Sequence, residues 1–89
     1  MEQKNKRIKN ILLIAAIFPH DFQRNFYLFA DKHSNPSIYN DIYNPLCMAS
    51  MCSARRKLHI KYVRTKMMQL SVHDVNSIEE HIKMINYEN

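Results

Sequence analysis

None of the 89 residues is glycine. Tight hairpin turns and left-handed helix ends normally call on glycine, because only glycine enters positive φ without steric cost. Asparagine, abundant here, is the next best residue at such places. A helical chain with Asn-rich connections tolerates this absence far better than a sheet protein does. The sequence therefore predicts an all-α fold.

The helices can be placed from their breakers and apolar spacing. Residues 1–18 open with cations and run into the apolar stretch Ile11–Phe18, ended by Pro19. A membrane span needs about 20 apolar residues, so a buried first helix over about 4–17 is expected. A secretory signal or anchor is the lesser alternative, as Pro19-His20-Asp21 follows and no small-x-small cleavage site is evident. Phe22, Phe26, Phe29 and Ala30 then fall at i, i+4, i+7 and i+8, the spacing of one helical face, which predicts a helix over 20–32.

Two Asn-Pro steps follow, Asn35-Pro36 and Asn44-Pro45. Asn at the N-cap with Pro at the first helical position is a start signal. It predicts a short helix over 36–43, with Tyr39 and Tyr43 half-buried, and a long one over 45–69. Within the long one, KLHIKY alternates polar and apolar residues, so a strand over 56–65 is the competing reading; Val63 breaks its alternation. Ser71 and Asp74 make a capping-box pattern, and Val72, Val75, Ile78, Ile82 and Ile85 keep helical spacing over 72–86. The expectation is one domain, residues 1–89, a compact bundle of four to five short helices. Phe22, Phe26, Phe29, Ile78, Ile82 and the Ile11–Ile17 run should supply most of its core.

The functional signal lies in Pro45–Leu70, which holds both cysteines and six cations without one acidic residue. On a helix, Cys47, Met51, Ala54, Leu58 and Tyr62 form one apolar stripe, and Ala49, Cys52, Ile60, Val63, Met67 and Leu70 a second. Lys57, Lys61 and Arg64 form a basic ridge between them, and Arg55, His59 and Lys66 another. Two apolar stripes suit a helix contacted on two sides. The formal charge of +5 favours an anionic partner, although Asp74, Glu79 and Glu80 of the last helix are placed to neutralise the ridge within the molecule.

Several chemistries find no support. Cys47-x4-Cys52 stands without a second ligand pair, and His20, His33, His59, His73 and His81 are scattered, so no metal is expected. Phosphate loops and nucleophile elbows need glycines. No cofactor and no enzymatic activity are inferred. The two cysteines point apart on a helix and are expected as reduced thiols, which fits a cytoplasmic protein.

SVHDV…HIKMI, from Ser71 to Ile85, resembles the recognition region of LuxR-type helix-turn-helix domains. Ile78-Glu79-Glu80 departs from that pattern as an insertion and adds two acids where phosphate or base contacts would fall. No functional residue is carried over from it.

The reading that results is a small regulator or adaptor that binds a protein partner with an acidic surface. Arg55, Lys57, His59, Lys61, Arg64 and Lys66 would supply attraction and orientation, and Met48, Met51, Met67 and Met68 adaptable apolar contact. Nucleic-acid binding through the phosphates is the alternative. An accessory subunit of a larger complex comes third; a membrane partner is not favoured.

Overall fold

The structure, a computed structural model, describes residues 2–17, 24, 35 and 37–87. Among these there is no strand, and no residue has positive φ. The described turns of this glycine-free chain are thus made without the left-handed region. Of the helix expected over 20–32 only Arg24 is described, and it is helical; Phe22, Phe26 and Phe29 lie outside the described residues.

Helix α1 (Glu2–Ile17) buries Ile8, Ile11, Leu12 and Ala15, at i, i+3, i+4 and i+7. Leu13 and Ile17, on the other side, stay more than half exposed, so only part of the Ile11–Ile17 run is core. A helical stretch begins at Asn35, whose side-chain Oδ1 accepts from the Ser37 backbone N–H at 3.1 Å and from its hydroxyl at 2.7 Å. Here the capping expected of an Asn-Pro step is observed. A π-helical turn, Tyr39–Tyr43, leads directly into helix α2 (Asn44–Met51).

The second Asn-Pro step behaves differently from expectation. Tyr43 and Asn44 are both right-handed helical, and the Asn44 N–H donates to the Tyr39 carbonyl. Asn44 therefore caps nothing, and the chain runs helically through Pro45. Proline lacks an N–H, and in a regular helix its ring collides with the carbonyl four residues back. Opening the preceding turn to π geometry relieves that collision.

The long helix expected over 45–69 is two helices. Cys52 is extended (φ −126°, ψ 103°), and after a 3-10 turn at Ser53–Arg55 helix α3 spans Arg56–Gln69. The end of α2 is well satisfied. Its Cys47 carbonyl accepts from the Ser50 hydroxyl at 2.7 Å, and its Met48 carbonyl from the Cys52 N–H at 3.1 Å. The Ala49 carbonyl takes the Arg56 Nε–H at 3.0 Å. Helix ends otherwise leave such groups unpaired, so Arg56 stabilises the break from beyond it. Across the hairpin, 49 meets 56 and Asp41 meets Tyr62. The two contacts run in opposite senses, so α2 and α3 are antiparallel.

Residues 56–65 are helical, which rejects the strand reading. Val63 and Met67 are fully buried, with Ile60 packed against the core, at i, i+4 and i−3. A strand would have put Leu58, Ile60 and Tyr62 on one face; instead Leu58 is 69% and Tyr62 43% exposed. The Leu58–Tyr62 stripe does not face the core, so α3 is buried on one side. Ser71 then starts helix α4 (Val72–Tyr87): its Oγ accepts from the Asp74 N–H at 3.1 Å, the bond expected of the cap.

One buried cluster joins the four helices: Ile8, Ile11 and Leu12 of α1, Ile42, Tyr43 and Leu46 around the π turn and α2, Val63 and Met67 of α3, and Val75, Ile78 and Ile82 of α4. Val72, expected in the α4 stripe, is exposed. Tyr43 is wholly buried rather than half-buried, and burial pushes its hydroxyl above the ordinary tyrosine range. Glu79 is also buried, between Val75 and Ile82 in the α4 stripe. Its carboxylate accepts from Arg7 Nη1 at 2.6 Å and from Asn10 Nδ2 at 2.9 Å, and Lys83 Nζ lies at 3.8 Å. Lys4 of α1 donates to the Met68 and Leu70 carbonyls at 2.6 and 2.5 Å, capping α3 with a cation at its negative end.

These features set three stability outcomes. In urea denaturation, Met67→Ala should cost about 2–4 kcal/mol and Leu58→Ala no more than about 0.5 kcal/mol; equal losses would contradict one-sided burial of α3. Glu79→Ala leaves Arg7 unpaired at a half-buried site and should cost about 2 kcal/mol, against near zero for the exposed Glu80→Ala. A protonated, buried Tyr43 is held in the folded state but ionises in the unfolded chain above about pH 10. Stability is therefore full below that pH and falls as pH rises above it. An ultraviolet titration should show one tyrosine ionising only as helix content is lost, and Tyr43→Phe should remove that step.

Candidate functional site

The cations singled out from the sequence are held by α3 and the turn before it. With about 100° per residue, the buried line Val63–Met67 leaves Lys57, Lys61 and Arg64 on the outward side. All three are exposed, as is Arg55. His59 and Lys66 sit nearer the core and are half-buried. Arg56, next in sequence to these, is engaged at the Ala49 carbonyl and does not belong with them.

The acids of the last helix do not neutralise this ridge. Glu79 points the other way, into its contacts with Arg7 and Asn10 of α1. Asp74 and Glu80 form no ion pair with α3, and among the described residues Arg55, Lys57, Lys61 and Arg64 have no carboxylate within salt-bridge distance. The internal seam expected between the acidic and basic helices is thus absent. The cause lies in the helical phase of α4: Glu79 shares the Val75–Ile82 face, and that face meets α1.

The ridge is interleaved with apolar side chains. Leu58 is 69% exposed, Met68 53% and Tyr62 43%. Lys57, Lys61, Arg64 and Met68 make one line at i, i+4, i+7 and i+11; Leu58 and Tyr62 make a line beside it. Tyr62 is held in place, since its hydroxyl donates to Asp41 Oδ1 at 3.2 Å and Lys66 Nζ stands 5.5 Å from its ring centre. That distance suits a cation–π contact. From Lys57 to Met68 the face runs about 16 Å along the helix.

The methionines divide. Met48 and Met51 of α2 are exposed, as is Met68, but Met67 is fully buried and belongs to the core, correcting its expected place on the contact surface. Sequence spacing also places Met67 in one stripe with Ile60 and Val63, and that stripe is the one α3 buries.

Both cysteines are free thiols. Burial pushes the Cys47 thiol up, which reduces the thiolate that would act as a nucleophile. Among the described residues no three His, Cys, Asp or Glu side chains gather as metal ligands would, and no helix is long and apolar enough to cross a membrane. The α4 segment that resembles a helix-turn-helix recognition region turns Ile78, Glu79 and Ile82 inward. A recognition helix needs its reading face open to the groove.

A second feature was not foreseen from the sequence. Between α1 and α4 lies an open cleft of about 560 Å³, lined by Lys6, Arg7, Lys9, Asn10, Glu79 and Lys83 among others. The clue available in the sequence was the cationic start, Lys4 to Lys9, read there only as the flank of an apolar run.

No protein-family model, no curated protein and no solved structure matches this chain.

Proposed function

We propose that this protein is a small, non-enzymatic regulator or adaptor that binds an acidic surface of a partner protein along the outward face of α3. The observation that carries this reading is the set of exposed cations Lys57, Lys61 and Arg64, without a carboxylate partner among the described residues, interleaved with exposed Leu58, Tyr62 and Met68. Cations without internal partners give long-range attraction and orientation. The apolar side chains beside them give the desolvated contact that phosphate binding alone does not need. A face about 16 Å long fits roughly three turns of an amphipathic helix that carries acids on its flanks. With so small a face, binding is salt-sensitive and reversible. Arg55, His59 and Lys66 flank the contact, and Met48 and Met51 of α2 extend it. The free thiols support a reducing, cytoplasmic setting.

Direct nucleic-acid binding is the second reading, supported by the same cations. The two separate by variant. Capture from the native host should yield a defined protein with the wild-type chain and lose it with Lys57→Glu, Lys61→Glu and Arg64→Glu combined, while circular dichroism stays unchanged. Leu58→Ala should weaken capture of a protein but leave any DNA shift at about 50 mM salt unaltered. Equal capture by the charge-reversed chain, or recovery of nucleic acid alone, would overturn the proposal.

A further inference from the structure

We infer that the cleft between α1 and α4 binds a small molecule carrying at least two linked phosphate groups. This rests on observations independent of α3. The cleft, about 560 Å³, falls within the roughly 300–1,000 Å³ typical of small-molecule sites. Four cations line it, Lys6, Arg7, Lys9 and Lys83, against the single carboxylate of Glu79. Among the described residues, three formal positive charges are left without an opposite charge in the cleft.

The carboxylate also builds the site. Glu79 is nearly inaccessible, its side chain 6% exposed, and it holds Arg7 Nη1 at 2.6 Å and Asn10 Nδ2 at 2.9 Å. Arg7 is thereby fixed in position while its side chain remains 38% exposed. A guanidinium has five N–H donors, so an Arg anchored through one nitrogen still presents others to a ligand. Fixing it beforehand lowers the entropic cost of binding. Lys6 and Lys9 are exposed on the rim without a carboxylate partner among the described residues. Lys83, 44% exposed, stands across from them on α4, 3.8 Å from Glu79.

Charge decides the ligand class. One phosphate monoester carries about −1.5 to −2 at neutral pH, short of the three positive charges present, whereas two or three linked phosphates match them. Cations on both walls, from α1 and from α4, suit a ligand whose phosphates reach both helices. Leu13 at the cleft margin, 56% exposed, offers apolar surface to an organic moiety.

The test is a titration of the full chain with inorganic tripolyphosphate at about 50 mM salt, followed by amide NMR shifts and calorimetry. Saturable one-to-one binding is expected, with shifts confined to residues 3–13 and 76–84. Lys6→Ala with Lys9→Ala should weaken binding about tenfold, the scale of two exposed charge contacts. Lys57→Ala with Lys61→Ala should change it less than about twofold. Orthophosphate should bind more weakly than tripolyphosphate. All four lysines are exposed, so neither variant should alter the circular dichroism; Lys83→Ala is a third check from the opposite wall. No saturable binding, shifts centred on residues 55–66, or equal losses in both double variants would overturn the inference. A failure here leaves partner capture through α3 untouched, so the two proposals fall separately.

Discussion

The carboxylate of Glu79 occupies a place in α4 where helical phase calls for an apolar side chain, and the packing of α1 follows from satisfying it. An ionised group out of water costs several kcal/mol unless it is paired and hydrogen-bonded. Arg7 and Asn10 provide those bonds, at 2.6 and 2.9 Å. They lie beside Ile8 and Ile11 on α1, so the polar contact and the apolar one demand the same register of the two helices. A slip of α1 along α4 would bury Ile11 elsewhere and strand the carboxylate. With the register set, Lys4 reaches the open carbonyls at Met68 and Leu70 and ties α1 to the end of α3 as well. Buried polar groups can confer such specificity rather than added stability.

The same contact determines what is left for function. The chain is basic overall, and its acids are few. With Glu79 turned inward to α1, the outward side of α3 keeps Lys57, Lys61 and Arg64 without a carboxylate partner among the described residues, beside exposed Leu58, Tyr62 and Met68. Arg7, held by that carboxylate, becomes the fixed cation of the α1–α4 cleft. One buried acid thus stands behind both candidate binding surfaces.

Much of the helical layout could be read from local signals. The absence of glycine, the Asn35 cap, the Ser71 cap and the spacing of Val75, Ile78 and Ile82 each act within a turn or two of the chain. What could not be read depends on contacts made from afar. The break at Cys52 has no proline or glycine to mark it; it is stabilised by Arg56, which reaches back to Ala49. The π turn before Pro45 answers a steric conflict that the start signal Asn44-Pro45 conceals. Glu79 looks like a solvated acid until α1 is seen to bring Arg7 and Asn10 to it. The basic residues Arg55 to Lys66 were identifiable as a group, but which of them turn outward depended on Val63 and Met67 facing the core. Leu58 and Tyr62 were misplaced for the complementary reason: a second apolar stripe suggests a second buried side, and here it lies on the surface.

If the outward face of α3 is the partner surface proposed above, it is free in the isolated protein and covered in the complex. Amine-reactive footprinting of the lysines, read residue by residue before and after binding to the captured partner, tests it most directly. Lys57 and Lys61 should react readily in the isolated protein and become protected in the complex, while Lys4, bound to two carbonyls, reacts slowly in both. Lysines 57 and 61 that stay equally reactive in the complex would contradict it.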